Sequence, residues 1–171
     1  ELKNKTIGLL GFGLIAKKVS ILASVFNSKI IAYDPFVDPV VGNDFNTKLV
    51  SKDDLFESAD IISIHLPLSE TTKNLLNYDV FKKMLKKPII INSSRGSIIN
   101  EIDLLRAYEE NLISGFALDV YEVEPAQQTF LNRIKKTTNC ILTPHNAGVT
   151  EESNTRVSEF IANSVKEFFK L

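Results

Sequence analysis

The six residues Gly11-Phe12-Gly13-Leu14-Ile15-Ala16 limit the possible folds of this chain more than any other stretch. They follow an apolar, β-rich run, Thr6–Leu10, and open a helical pattern over Ile15–Phe26. In such a strand–turn–helix unit the first glycine permits a tight turn, and the second lets backbone approach a pyrophosphate. A small third residue, here Ala16, keeps helix and strand close. The N–H groups of Leu14 and Ile15 then face outward from a helix N-terminus, where the dipole favours an anion. The next strand-like run, Lys29–Tyr33, ends at Asp34, roughly 20 residues beyond the glycines, the spacing expected of a dinucleotide site. A carboxylate there accepts hydrogen bonds from both ribose hydroxyls of NAD and repels a 2′-phosphate. No arginine or lysine follows closely to neutralise one, so NAD rather than NADP is expected. A bare turn-forming role for Asp34 before Pro35 is chemically reasonable but leaves the glycines unexplained.

Further along, short apolar runs alternate with helical patterns. Ile61–Ile64, Pro88–Ile91, Ser114–Leu118 and Cys140–Leu142 are apolar nearly throughout, as strands covered on both faces are. Helices are expected over Ser51–Ser58, with a serine at a plausible N-cap, over Asp79–Leu85, and over Ile102–Asn111. Repetition of strand and helix implies a parallel sheet with right-handed crossovers. The expected fold is therefore α/β, a Rossmann-type doubly wound parallel sheet in three α/β/α layers. A long helical pattern, Glu151–Leu171, closes the chain, with Val157, Phe160, Ile161, Val165 and Phe168 at helical spacing. Such a stripe is built to bury one face.

Bulk properties narrow the function by exclusion. The 171 residues suit one domain, and a net charge of -1 makes no electrostatic case for a nucleic-acid or anionic-membrane partner. The apolar runs are strand-sized, well short of the roughly 20 residues a bilayer span needs. Lys82, Lys83, Lys86 and Lys87 read as a solvated helix end rather than a binding patch. One cysteine, Cys140, and two histidines leave no metal-ligand spacing and fit a reducing compartment, so a metal-free, cytoplasmic protein is expected.

Chemistry-bearing residues cluster just past the predicted strand ends, where open α/β sheets place ligands. Arg95 follows Pro88–Ile91, Asp119 and the pair Glu122 and Glu124 follow Ser114–Leu118, and His145 follows Cys140–Leu142. His65 ends Ile61–Ile64 in the same way and also neighbours a proline. On local grounds His65 and His145 are nearly tied, Glu122 and Glu124 are equal, and Arg95 reads slightly better as a surface residue in a Ser-Ser-Arg-Gly-Ser turn.

Four separated segments, in order, resolve those ties. ELKNKTIGLLGF (1–12), NSSRG (92–96), ALDVYEVEP (117–125) and TPHNAG (143–148) together resemble the D-isomer-specific 2-hydroxyacid dehydrogenases, the family of phosphoglycerate, glycerate, lactate and formate dehydrogenases. The resemblance covers essentially the whole chain, with Ala16 in place of a third glycine and Ser94 beside Arg95 as tolerable departures. It implies an enzyme moving hydride between NAD and a small 2-hydroxy or 2-keto acid. Arg95 would hold the substrate carboxylate and keto oxygen, a task matched to its bidentate fork. His145 would be the acid/base, with Glu124 accepting its hydrogen bond and favouring the protonated form. Asp119 would meet the carboxamide end of the nicotinamide. Leu66 and Pro67, after His65, would lie along the dinucleotide, with Thr72, Ser93, Ser94 and Ala147 as further cofactor contacts beside Gly11, Gly13, Leu14, Ile15 and Asp34.

The same resemblance sets expectations about organisation. Residues 1–150 would be the NAD-binding domain, and 151–171 a closing helix that returns to a substrate-binding domain lying outside this sequence. A chain of this extent is expected to bind NAD but turn substrate over poorly, because the cleft that excludes water is incomplete. The full-length enzyme would be a homodimer. Relatives with this fold that act as NAD-dependent corepressors supply an alternative, an NAD-sensing interaction module.

Overall fold

The computed structural model describes residues 1–135 and 137–170. Seven strands form one all-parallel sheet: β1 (Thr6–Leu10), β2 (Lys29–Tyr33), β3 (Thr47–Leu49), β4 (Ile61–Ile64), β5 (Ile89–Asn92), β6 (Gly115–Leu118) and β7 (Cys140–Leu142). Their spatial order is β3-β2-β1-β4-β5-β6-β7, so chain direction across the sheet reverses at β1, between β2 and β4. Six helices connect or follow them: α1 (Leu14–Ser24), α2 (Lys52–Ser58), α3 (Tyr78–Phe81), α4 (Glu101–Glu109), α5 (Gln128–Ile134) and α6 (Glu151–Phe169). The expected doubly wound sheet is the observed one.

Side-chain alternation along the strands divides the core into two layers. Ile7 and Leu9 of β1 and Ile30 and Ala32 of β2 join Phe12 and Ala16 in a cluster beneath α1. The intervening Leu10 and Ile31 point to the opposite face, into a larger cluster with Leu55 and Phe56 of α2 and Leu104 and Leu105 of α4. Because both faces are covered, the strand sequences carry no polar–apolar alternation. Gly8 belongs to this arrangement: an added Cβ would stand 3.0 Å from both Leu55 and Ala59, so its bareness lets α2 pack close on β1.

Several helix starts follow directly from local chemistry. Ser51, Asn77 and Asn100 each place a side-chain oxygen on an N–H of the first turn of α2, α3 and α4. These caps satisfy donors that have no partner within the helix. The helix expected over Asp79–Leu85 is shorter, because beyond Phe81 the chain continues in three-residue turns, Lys83 N–H to the Val80 carbonyl and Met84 N–H to the Phe81 carbonyl. Its lysines are solvated as expected, Lys82 pairing with Asp79 at 2.6 Å and Lys83 with Asp53 at 3.0 Å. Three elements lie outside the sequence expectation: the edge strand β3, a 3-10 segment Pro39–Phe45 capped by Asp38, and α5. β3 is too short to show a period, and α5 announces itself only through Phe130 and Ile134, one turn apart and buried. The strand at Cys140–Leu142 is an edge rather than a buried strand, and Cys140 is only partly covered.

The closing helix forms where expected, with a capping box between Thr150 and Ser153. It buries none of its residues, and Val157, Phe160, Ile161, Val165 and Phe168 are all exposed. Among the described residues no helix is long and apolar enough to cross a membrane.

Ile62, fully buried in β4 at the middle of the sheet, tests the packing. An Ile62→Ala variant is expected to lose about 2–5 kcal/mol. Urea unfolding should show this as a lower midpoint with an unchanged slope.

Candidate active site

The glycine turn sits where β1 ends between β2 and β4. Gly11 has φ +94°, and an added Cβ would lie 2.7 Å from the His65 carbonyl oxygen. The loop after β4 thus closes directly on the glycine turn, bringing His65 and Leu66 to it, with Pro67 next in the chain. Gly13 is the extended N-cap of α1 and offers no side-chain cap. An added Cβ there would meet nothing within 4 Å, so open space faces the first turn of α1. Leu14 and Ile15 border that space, 82% and 69% exposed. The half-buried Asp34 braces the turn from the neighbouring strand, accepting the Phe12 N–H at 2.9 Å on Oδ2 and the Phe36 N–H at 3.0 Å on Oδ1. Each carboxylate oxygen keeps further acceptor capacity. Thr72 shapes the adjoining loop, its hydroxyl donating to the Pro67 carbonyl at 2.6 Å and accepting from the Ser69 N–H at 2.8 Å.

At the end of β5 the loop carrying Arg95 is wound around one side chain. Asn92 is buried, and its Oδ1 accepts from the Ser94 N–H at 3.1 Å and the Ser94 hydroxyl at 2.8 Å. Its Nδ2 donates to the Arg95 carbonyl at 2.9 Å. Arg95 itself is exposed, with Nη1 donating to the Ser94 carbonyl at 2.6 Å, and Ser93 is exposed beside it. Gly96 has a steric reason to be glycine: an added Cβ would stand 1.7 Å from the Tyr121 carbonyl oxygen. The Arg95 loop therefore presses against the segment leaving β6.

That segment and the loop after β7 meet through two carboxylates. His145 Nδ1 and Glu124 Oε2 are 2.7 Å apart. The imidazole's hydrogen bond holds the Glu124 carboxyl below its usual range, and the Tyr121 N–H adds to this at 3.3 Å. Asp119, by contrast, is buried. Burial pushes its carboxyl up, but hydrogen bonds from the Thr143 hydroxyl, the Ala147 N–H at 2.9 Å and the Asn146 N–H at 3.0 Å outweigh it and leave it below the usual range. Asp119 thereby clamps the residues on both sides of His145, whose φ of 56° is left-handed, an uncommon backbone state that surrounding bonds must hold.

This geometry separates the residues that the local sequence leaves tied. Glu122 turns toward α4, exchanging 2.7 Å hydrogen bonds with Glu101, each carboxylate accepting the other residue's N–H. His65 is half-buried beside the glycine turn, its Nε2 2.9 Å from the Ser63 hydroxyl, and burial lowers its pKa. Asn92 and Tyr121 are the organising residues that sequence reasoning passes over. Asn92 has a faint signal, a polar residue ending an apolar strand, but the contacts by which Tyr121 joins separate loops, to Thr143 and Gly96, are long-range.

Comparison with known proteins shows the family. A profile of the family described as D-isomer specific 2-hydroxyacid dehydrogenase, NAD binding domain, matches residues 1–147. The chain belongs to this family. It is 38% identical over 167 residues to the D-3-phosphoglycerate dehydrogenase of Synechocystis sp., covering 98% of this chain and 30% of that protein. It is 37% identical over 168 residues to the hydroxypyruvate reductase of Thermotoga maritima, covering 98% and 54% respectively. A solved D-lactate dehydrogenase from Aquifex aeolicus, complexed with NAD and lactic acid, superposes with a TM-score of 0.86 at 28% identity, over 97% of this chain and 54% of that one. The chain thus spans about half or less of these relatives. As a member of an NAD-binding family, its cofactor is NAD. The residues present fit that group: Gly13 leaves room in front of the α1 amides, and Asp34 presents a carboxylate to one side.

The clamp at Asp119 makes a pH prediction. Its folded pKa lies below the unfolded value of about 3.9, so its stabilisation is complete at neutral pH and is lost as pH falls through the folded value. An Asp119→Asn variant places an NH2 against donors and should melt below the wild type at pH 7. The gap should narrow only below about pH 3.9. A gap that stays constant on acidification, in thermal melts across pH, would contradict the clamp.

Proposed function

We propose that this chain is the cofactor domain of an NAD-dependent dehydrogenase that interconverts small D-2-hydroxy acids and 2-keto acids. The observation that carries the reading is the 2.7 Å Glu124–His145 pair, on the same edge of the sheet as the glycine turn and Arg95. NAD(H), when bound, supplies or accepts the hydride. In the direction of reduction, Arg95 holds the substrate carboxylate and keto oxygen, and protonated His145 delivers a proton to that oxygen as carbon is reduced. In oxidation His145 takes the hydroxyl proton. Glu124 orients the imidazole through Nδ1, leaving Nε2 for substrate. The same exposed pair favours a catalytic role over a purely sensing module, which has no use for an oriented acid/base.

Cofactor contacts are assigned by position. Gly11, Gly13, Leu14 and Ile15 take the pyrophosphate, and Asp34 takes the adenosine ribose. Leu66, Pro67 and Thr72 line the strand-β4 side, with Ser93 and Ser94 on the β5 loop. Asp119 and Ala147 serve the nicotinamide end; three hydrogen bonds already held by Asp119 make shaping that loop a large part of its contribution. Residues 1–150 form this cofactor unit. Residues 151–171 are a closing helix whose bare apolar stripe is suited to a substrate-binding domain, Leu171 lying outside the described residues. By this reading the whole enzyme is a cytoplasmic homodimer, and the cofactor unit alone binds NAD but turns over slowly.

Two measurements test the proposal. Calorimetric titration should give clearly tighter binding of NADH than of NADPH, and Asp34→Ala should collapse that ratio; the ratio matters because Asp34 also braces Phe12. Failure of a folded sample to bind either nucleotide contradicts the cofactor assignments. In the full-length enzyme, His145→Asn should lower kcat for 2-keto acid reduction by about 10²–10⁴-fold with NADH affinity unchanged. Retained turnover would remove His145 from its role.

A further inference from the structure

Tyr121 touches all three loops that carry Arg95, Glu124 and His145. Its backbone N–H donates to Glu124 Oε1 at 3.3 Å. Its hydroxyl donates to the Thr143 carbonyl at 2.9 Å, with the Leu118 carbonyl also in reach at 3.3 Å. Its own carbonyl is the group against which Gly96 packs. The ring is only 8% exposed and sits edge-to-face on Phe130, centroids 6.3 Å apart. Burial raises the phenol's pKa, keeping the hydroxyl a donor over the working pH range. Glu122, the next residue, is tied to α4 through Glu101, so the segment beneath Glu124 is anchored at both ends.

We propose that the Tyr121 hydroxyl is a positioning group for proton transfer at His145, acting through the Thr143 carbonyl; this rests on the dehydrogenase reading above. Thr143 is the last residue before Pro144-His145, and it is held by three bonds. Its N–H donates to the Leu118 carbonyl at 3.0 Å, its hydroxyl donates to Asp119, and its carbonyl receives the Tyr121 hydroxyl. The first two bonds fix where the chain leaves β7. The third sets the tilt of the Thr143–Pro144 peptide. Because proline fixes φ, that tilt passes to His145 with little slack. Tyr121 therefore determines the imidazole's place relative to both Glu124, which it also contacts, and the Arg95 loop, which leans on it. A catalytic group displaced by as little as 1 Å can cost about 10²-fold in rate, so a partial tilt should be measurable.

The test is Tyr121→Phe in the full-length enzyme, which keeps the ring and removes only the hydroxyl. Tyr108→Phe is the control: Tyr108 is a half-buried tyrosine on α4, edge-to-face with Phe116, whose hydroxyl accepts the Thr138 N–H away from the site. For Tyr121→Phe, kcat for 2-keto acid reduction should fall about tenfold with KM for the keto acid little changed, as the Glu124–His145 alignment loosens. NADH affinity should stay within about twofold, because the glycine turn and Asp34 are untouched. Tyr108→Phe should leave kcat and KM in place. A Tyr121→Phe enzyme with wild-type kcat overturns the positioning role and leaves the dehydrogenase reading standing. A wild-type enzyme that reduces no 2-keto acid overturns both.

Discussion

Strand β1 hydrogen-bonds to β2 on one side and β4 on the other, and the site depends on what its end permits. At Gly11 the backbone turns with positive φ while the β4 loop closes to within a Cβ's reach. A side chain there would push the two apart. Because strand order reverses at β1, the chain leaves β1 for α1 on one face of the sheet and leaves β4 toward α3 on the other, the switch point at which open α/β sheets place ligands. Gly13, bare and facing open space, keeps that point accessible to an anion at the helix terminus.

The remaining chemistry is collected by the other half of the sheet, and its two carboxylates work under different conditions. Asp119 is buried, and three donors offset the cost of removing its charge from water. Its work is spent on the shape of the loop around His145. Glu124 is exposed and takes its main hydrogen bond from the imidazole. A buried, multiply bonded carboxylate sets geometry that an exposed one then uses. The same division of burial holds on the β5 side, where buried Asn92 shapes a loop and Arg95 is exposed on it.

The two ends of the chain differ in how far their packing is complete. The sheet and helices α1 to α5 enclose two continuous apolar clusters, whereas α6 is well capped yet leaves every residue of its stripe uncovered. A helix with that pattern gains little from burial by itself. The relatives are about twice or more the length of this chain.

The residues alone determined the strand–glycine–helix unit, the parallel α/β class and the place of Asp34 just past β2, because these rest on short-range spacing and on the special geometry of glycine. Motif resemblance singled out Arg95, Glu124 and His145. Tertiary structure decided what spacing could not. His65 and His145 look alike locally, yet one lies half-buried at the glycine turn and the other reaches Glu124 across 21 residues. Glu122 and Glu124 differ only in which way the chain turns, and Glu101, 21 residues upstream of Glu122, settles it. β3 stayed hidden because three residues at a sheet edge carry no period, and its place is set by pairing with β2. Tyr121 was silent for the deepest reason: its partners, Gly96 and Thr143, lie on loops after β5 and β7, and only the sheet brings those loops together.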